Sequence, residues 1–451
     1  MTVSALRSGR SWATALAAGI AVLLAGCAPD RTDDGDRGAG SDPASTASST
    51  APSPTPSPSA DASPTVSPQT ATPRTPRRSL SQAQLDRRLR AAAWDDDVAR
   101  ARRLIAEGAD VNAKDETEQS AYLITTSEGY LRLLDLTLKN GGKVTSLDSF
   151  DGIGLIRAAE RGHADVAGRL VQAGVDVDHV NNLGWTALHE ALVFADADDH
   201  RYVDTVRVLV AAGADVTLAS QRDGVSPLAH ARTRGLERQA SLLRRAADRP
   251  EVDRQIAGRR LLRAAEEGDA DAAALALRDG ARLEVRDEAG RTPLLRAAAA
   301  DRTAVARLLV HLGADPDALD DRHDTPWLVT GVTGSVAMLE ILLPADPDLS
   351  IRNRFGGLSP IPASERGHVD YVRRVVRTAV DLDHVNDLGW TALLEAVILG
   401  DGTRPYQRIV QILVDAGVDV TIADHDGVTA LEHAQARGYD AIARTLRAAR
   451  A

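Results

Sequence analysis

Residues 178–191 read DHVNNLGWTALHEA, and residues 383–396 read DHVNDLGWTALLEA. The match is not confined to these stretches, because Gly108 pairs with Gly313 at the same spacing that pairs His179 with His384. A block of sequence has been duplicated. Inside each block a shorter period of roughly 33 residues governs the pattern. Turns of the Gly-Ala-Asp kind begin at Gly108, Gly174, Gly213, Gly313 and Gly417. Each is followed by a helix start such as GWTALHEA, GVSPLAHA, GRTPLLRA or GVTALEHA.

Local chemistry accounts for the residue choice. The hydroxyl of Thr186 or Thr292 can cap a first helix, and Pro227 or Pro293 suits a first helical position, where no amide donor is needed. Ala191 and Ala297 allow close approach, Val206, Leu209 and Val210 form the apolar face of a second helix, and Gly213 permits the left-handed turn that ends it. One such hairpin cannot bury its own core, so the units must stack. The pattern resembles the ankyrin repeat, with its T-P-L-H-x-A start, G-H turn and V-x-x-L-L-x-x-G-A-D end, over nearly all of the chain after residue 82. This resemblance implies an all-α ankyrin-repeat solenoid of helix-turn-helix units joined by β-hairpin loops, about eleven of them. It also implies a protein partner bound at the hairpin tips and on the concave face of the first helices.

The duplication predicts a first array over 80–248, a linker over 249–257 and a second array over 258–451. The second array carries an extra unit, Gly258 to Arg286, as an N-terminal cap. Pro250 disfavours helix continuation and places a hinge between the arrays, the alternative being one uninterrupted solenoid. Two units depart from the pattern: PADPD after Leu343 lacks the glycine, and Ala121 stands where proline is usual. One unit per array lengthens the turn between its helices, from Val193 and from Ile398, and these insertions carry Tyr202 and Tyr406.

Before the repeats, Arg7 and Arg10 precede an apolar run from about Ala13 to Leu24, shorter than the roughly 20 residues of a spanning helix. The single cysteine, Cys27, closes the sequence LAGC, which resembles a bacterial lipobox. Residues 1–26 are therefore expected to be a lipoprotein signal peptide. Cys27 is expected to carry lipid, giving a membrane anchor on the extracytoplasmic face of the cell membrane. Residues 27–79 are rich in Ser, Thr and Pro and read as a disordered stalk.

The chain of 451 residues is 43% hydrophobic but only 3% aromatic, which suits a core of small helices packed through Ala, Leu, Val and Ile. A net charge of −11, with Arg interspersed among Asp and Glu, argues against nucleic acid as a partner. Asp196, Asp198, Asp199 and His200 could be imagined as a metal loop, but the matching loop keeps only Asp401, and a solvated acidic turn is the expectation. His189 is replaced by Leu394 in the second array, so no shared catalytic role is expected of it, and no cofactor is expected. His179, Trp185 and Tyr202, with their duplicates His384, Trp390 and Tyr406, are candidate partner-binding residues. The alternative for each tryptophan is packing against the lengthened turn. The functional expectation is a non-enzymatic envelope scaffold. Its rival is a carbohydrate-active or cell-wall enzyme with paired carboxylates in a cleft.

Overall fold

The computed structural model describes residues 80–196 and 199–450. The signal segment, Cys27 and the stalk lie outside the described residues, as does Asp198. Ser81 to Ala451 forms one compact unit. Its α-helices fall into consecutive pairs: α1 (Gln82–Trp94) and α2 (Val98–Ala106), α3 (Ala121–Glu128) and α4 (Leu131–Lys139), α5 (Gly154–Glu160) and α6 (Ala164–Gln172), α7 (Ala187–Val193) and α8 (His200–Ala211), and α9 (Pro227–Thr233) and α10 (Glu237–Ala247). The second array continues with α11 (Arg254–Glu267) and α12 (Ala270–Arg278), α13 (Pro293–Ala299) and α14 (Thr303–His311), α15 (Pro326–Thr333) and α16 (Val336–Leu342), α17 (Pro360–Glu365) and α18 (Val369–Val375), α19 (Ala392–Ile398) and α20 (Arg404–Asp415), and α21 (Ala430–Ala436) and α22 (Asp440–Arg450). That is eleven pairs, with no strand among the described residues beyond two isolated antiparallel bridges.

The first helices begin as their caps dictate. Ser120, Thr186, Ser226, Thr292, Thr325, Thr391 and Thr429 each accept from the amide three residues on. Such a cap contributes about 1 kcal/mol. Most second helices end on glycine, as at Gly213 (φ 92°), where Gly213 N donates to Val210 O and Ala214 N to Leu209 O; α10 and α18 end without one. Where PADPD lacks that glycine, a short 3₁₀ turn, Leu343–Ala345, runs into Asp346, which adopts the left-handed conformation itself (φ 54°). Ala121 without proline still starts α3, because Ser120 caps it.

First helices stack on first helices along α1, α3, α5, α7 and α9, and again along α11, α13, α15, α17, α19 and α21. No comparable step joins α9 to α11. Instead α12 packs on α8, and α14 packs on α6 and α8, so the arrays meet through their second helices. Arg207 bridges Asp204 (3.0 Å) and Asp271 (2.7 Å), and Arg307 reaches Asp204 at 3.1 Å. Arg278 donates to Ala214 O at 2.7 Å, and Gln172 donates to His311 O at 2.8 Å. Gly168 is required at this seam, since a Cβ there would lie 2.2 Å from the His311 carbonyl oxygen. The reversal occupies the segment after α10, where Arg249 pairs with Asp279 and Asp253 caps α11. α11 thus begins at Arg254, within the span read as linker. This packing uses second-helix surface and leaves the first-helix faces out of the seam.

Candidate binding groove in the second array

The duplicated sentence builds the same local frame twice. Asn181 Oδ1 accepts from Leu183 N (3.1 Å) and Trp185 N (3.0 Å), and its Nδ2 donates to Glu190 Oε1 at 3.0 Å. Asn386 does the same with Leu388 N (3.0 Å), Trp390 N (2.9 Å) and Glu395 Oε1 (2.9 Å). One asparagine therefore shapes the finger and orients a carboxyl on the next helix. Both carboxyls are buried, Glu190 at 4% exposure and Glu395 at 5%. Burial first, then the neighbouring Glu160, pushes Glu190 up to about 8. Burial first, then Glu365, pushes Glu395 up to about 7. Two carboxyl pairs, Glu160 with Glu190 and Glu365 with Glu395, thus sit at matching places.

Their surroundings differ. In the first array Arg157 lies 3.3 Å from Asp148 and 3.0 Å from Glu160, and its charge also favours ionised Glu190. At the equivalent positions of the second array stand Pro362, Asn353 and Glu365. Asn353 Oδ1 still accepts from Phe355 N and Gly357 N, both at 2.9 Å, as Asp148 Oδ1 does from Phe150 N and Gly152 N. The loop role is retained while one charge and its guanidinium partner are gone. Here a groove of about 370 Å³ opens, lined by Phe355, Ile361, Leu388 and Leu399 around Glu365 and Glu395. Phe355, Leu388 and Leu399 are 51%, 50% and 47% exposed, whereas their duplicates Phe150, Leu183 and Phe194 are half-buried.

The candidate partner-binding residues take other roles. His179 Nε2 donates to Asp151 O at 2.7 Å and His384 Nε2 to Gly356 O at 2.6 Å. Tyr202 and Tyr406 donate to Glu160 O and Glu365 O, each at 3.0 Å. All four tie a repeat to the backbone of the one before it. Trp185 is buried (4% exposed) and meets His230 edge-on, with ring centroids 6.4 Å apart, while Trp390 is half-buried. Each tryptophan's neighbouring tyrosine therefore looks backward, whereas Trp185 looks forward to the next repeat. His189 Nδ1 closes the cap at Thr186, and burial drives it down to about 4. Asp199 caps α8 and pairs with Arg201, and no metal-holding group of His, Cys, Asp or Glu occurs among the described residues. Asn181 with Glu190 and Asn386 with Glu395 were not singled out from sequence. The cue was present, since both residues persist in both copies while His189 does not.

A larger cleft, about 800 Å³, lies along the seam between the arrays, and Arg169 with Asp135, Arg307 and Gln172 line it. Within it Arg169 pairs with Asp135 inside the first array, while Arg307 with Asp204 and Gln172 with His311 O join the two arrays.

Known proteins match both arrays. A family model of ankyrin repeats in three copies covers residues 123–220, and a single ankyrin repeat model covers 289–321. Putative ankyrin repeat protein YahD of Escherichia coli K12 is 40% identical over 122 residues, 27% of this chain and 61% of that protein. The chain thus spans about three fifths of that relative's length. An ankyrin repeat domain from Acinetobacter baumannii AYE, solved crystallographically, is 43% identical, with 42% of this chain and 96% of that one covered and a TM-score of 0.41. A second solved ankyrin repeat protein is 37% identical, with 42% and 97% covered and a TM-score of 0.41. Helical pairs capped by Ser or Thr, ended by glycine and matched by these family models in each array make this chain a member of the ankyrin-repeat proteins.

Proposed function

We propose that the chain is a non-enzymatic cell-envelope lipoprotein, anchored through Cys27 on the extracytoplasmic face, that binds a protein partner through its ankyrin repeats. Repeat arrays offer extended faces of the size that protein partners need. The observation that carries the reading is the cluster of Phe355, Leu388 and Leu399 around the second-array groove, since their duplicates are half-buried and other large side chains are mostly covered. Exposed apolar clusters of this kind mark interaction sites. His384 and Tyr406 hold this face in shape, and Trp390, two residues after Leu388, is half-buried. In the first array His179, Trp185 and Tyr202 do the same for a face with less apolar exposure.

A photo-crosslinker at Val385, exposed in the same loop as Leu388, tests the reading on the native cell surface. Phe355→Ala with Leu388→Ala should reduce capture about tenfold or more, as loss of hot-spot side chains does. Unchanged capture would remove the groove from the interface. The anchor is tested separately: Cys27→Ala should abolish lipid labelling and release the protein from membranes while its melting curve stays the same. The rival reading draws on the same Glu365 and Glu395 pair, and release of reducing sugar from cell-wall polymer, lost in Glu365→Gln, would favour it.

A further inference from the structure

The first array works as an internal control for the second. Wherever the duplicated fold keeps its acidic pair, it must deal with two carboxyls drawn into a poorly solvated place. Leaving the buried member, Glu190 or Glu395, without a cation costs free energy, because burial and the neighbouring carboxyl both oppose its ionisation. The first array supplies Arg157 from its own α5. The second has Pro362 there, and neither Glu365 nor Glu395 forms an ion pair among the described residues. One Glu395 oxygen holds Asn386. Glu395 and Glu365 both line a groove wide enough for a side chain. Three arginines also line the groove: Arg354 pairs with Asp324 and has its guanidinium 4.6 Å from the Phe355 ring centre, while Arg322 and Arg366 are exposed and form no ion pair with Glu365 or Glu395 among the described residues.

We infer that this groove receives an arginine side chain from an extended segment of the partner, with Glu365 and Glu395 taking the guanidinium and Phe355, Leu388 and Leu399 covering apolar side chains beside it. The inference rests on the binding role proposed above and names the chemistry of that partner. The occupant reproduces from outside what Arg157 supplies from inside, and a planar guanidinium suits two carboxyls better than a point-charge ammonium. Because Glu395 is held up to about 7 in the free protein, the arriving cation should displace a proton, and affinity should rise with pH from 6 to 8.

The test uses the full chain and fluorescein-labelled, end-capped hexapeptides with a central leucine–arginine–leucine, together with versions carrying lysine, citrulline or glutamate in place of the arginine. The arginine peptide should bind at least about tenfold more tightly than the isosteric, neutral citrulline peptide. Glu365→Gln and Glu395→Gln should each remove most of that preference with melting undiminished at pH 6, and Glu190→Gln should leave it intact. Pro362→Arg with Asn353→Asp, which rebuilds the first array's internal neutralisation, should block binding. Equal binding of arginine and citrulline peptides, tighter binding of the glutamate peptide, or no binding of any would overturn the inference. So would a gain in affinity on replacing Arg74, Arg77 and Arg78 with Ser, because the chain's own segment would then be the occupant. The two levels fail differently. If Phe355→Ala with Leu388→Ala abolishes surface crosslinking but the two Gln variants do not, the groove binds and only the arginine assignment is lost. If none of these changes alters crosslinking, the docking face itself is lost.

Discussion

The same finger and helix occur in both arrays, yet one copy sets Arg157 against its acidic pair and the other opens the pair to a groove. Arg157 against Pro362 and Asp148 against Asn353 are the differences that matter, because Asn181 with Glu190 and Asn386 with Glu395 are superimposable in their hydrogen bonding. A repeat protein can therefore keep its frame and change its surface chemistry by exchanging charges that no frame hydrogen bond needs. Asn353 illustrates the separation, since it keeps the two backbone hydrogen bonds of Asp148 and gives up only the charge.

The sharpest way to break the comparison is to remove the internal cation. Arg157→Ala leaves Asp148, which is nearly fully buried, and Glu160 without their partner. Removing one member of a buried ion pair costs about 3 kcal/mol. Urea unfolding at pH 7 should show that loss, and Pro362→Arg alone in the second array should show no comparable gain. A loss below about 0.5 kcal/mol would mean that Arg157 is screened like a surface residue.

A somewhat smaller contrast separates the two tryptophans. Trp185→Ala removes a buried ring packed toward His230 and should cost about 3 kcal/mol, whereas Trp390→Ala removes a half-buried one and should cost roughly half as much. In partner capture the order should reverse, with Trp390→Ala the more damaging, because only that ring retains surface. Equal stability losses with equal capture would return both residues to the same role.

Legibility from sequence followed the range of the interactions. Caps at Thr186 and Thr292, prolines at Pro227 and Pro293, and the turn at Gly213 act within a few residues, so their types announce them. The His179 and Tyr202 pairs were visible as duplicated residues, but their hydrogen bonds reach the preceding repeat, and only the stacked register shows whether such a ring faces a partner or a backbone carbonyl. The fold-back between arrays depended on still longer range. Gly168 reads as an ordinary helix glycine until the His311 carbonyl arrives from the other array. The groove was hidden for a different reason: its cue is a substitution between copies, Arg157 to Pro362, whose meaning depends on the carboxyls that the fold gathers around it.

A pH dependence adds to the contrast, because the two arrays should titrate in different windows. Glu190 is held up to about 8 in the folded chain and Glu395 to about 7, both above the ordinary value of 4.5. A group whose folded pKa is raised contributes stability that is fully present below its unfolded value and is lost as pH rises through the folded one. Stability should therefore fall from pH 4.5 to about 7 through both glutamates, and from 7 to about 8 through Glu190 alone. The buried imidazoles work the other way. His163, His189, His230 and His311 are lowered from 6.5, so they add stability as pH rises toward 6.5 and nothing beyond it. The window above 6.5 thus isolates the carboxyls. Glu190→Gln, which can still accept from Asn181, should flatten the urea midpoint between pH 6.5 and 8.5 and leave the variant the more stable protein at the upper end. Glu395→Gln should flatten only the part below about 7. Parallel midpoint profiles for the wild type and Glu190→Gln across that window would show that Glu190 is already ionised in the fold, and that Arg157 neutralises it fully.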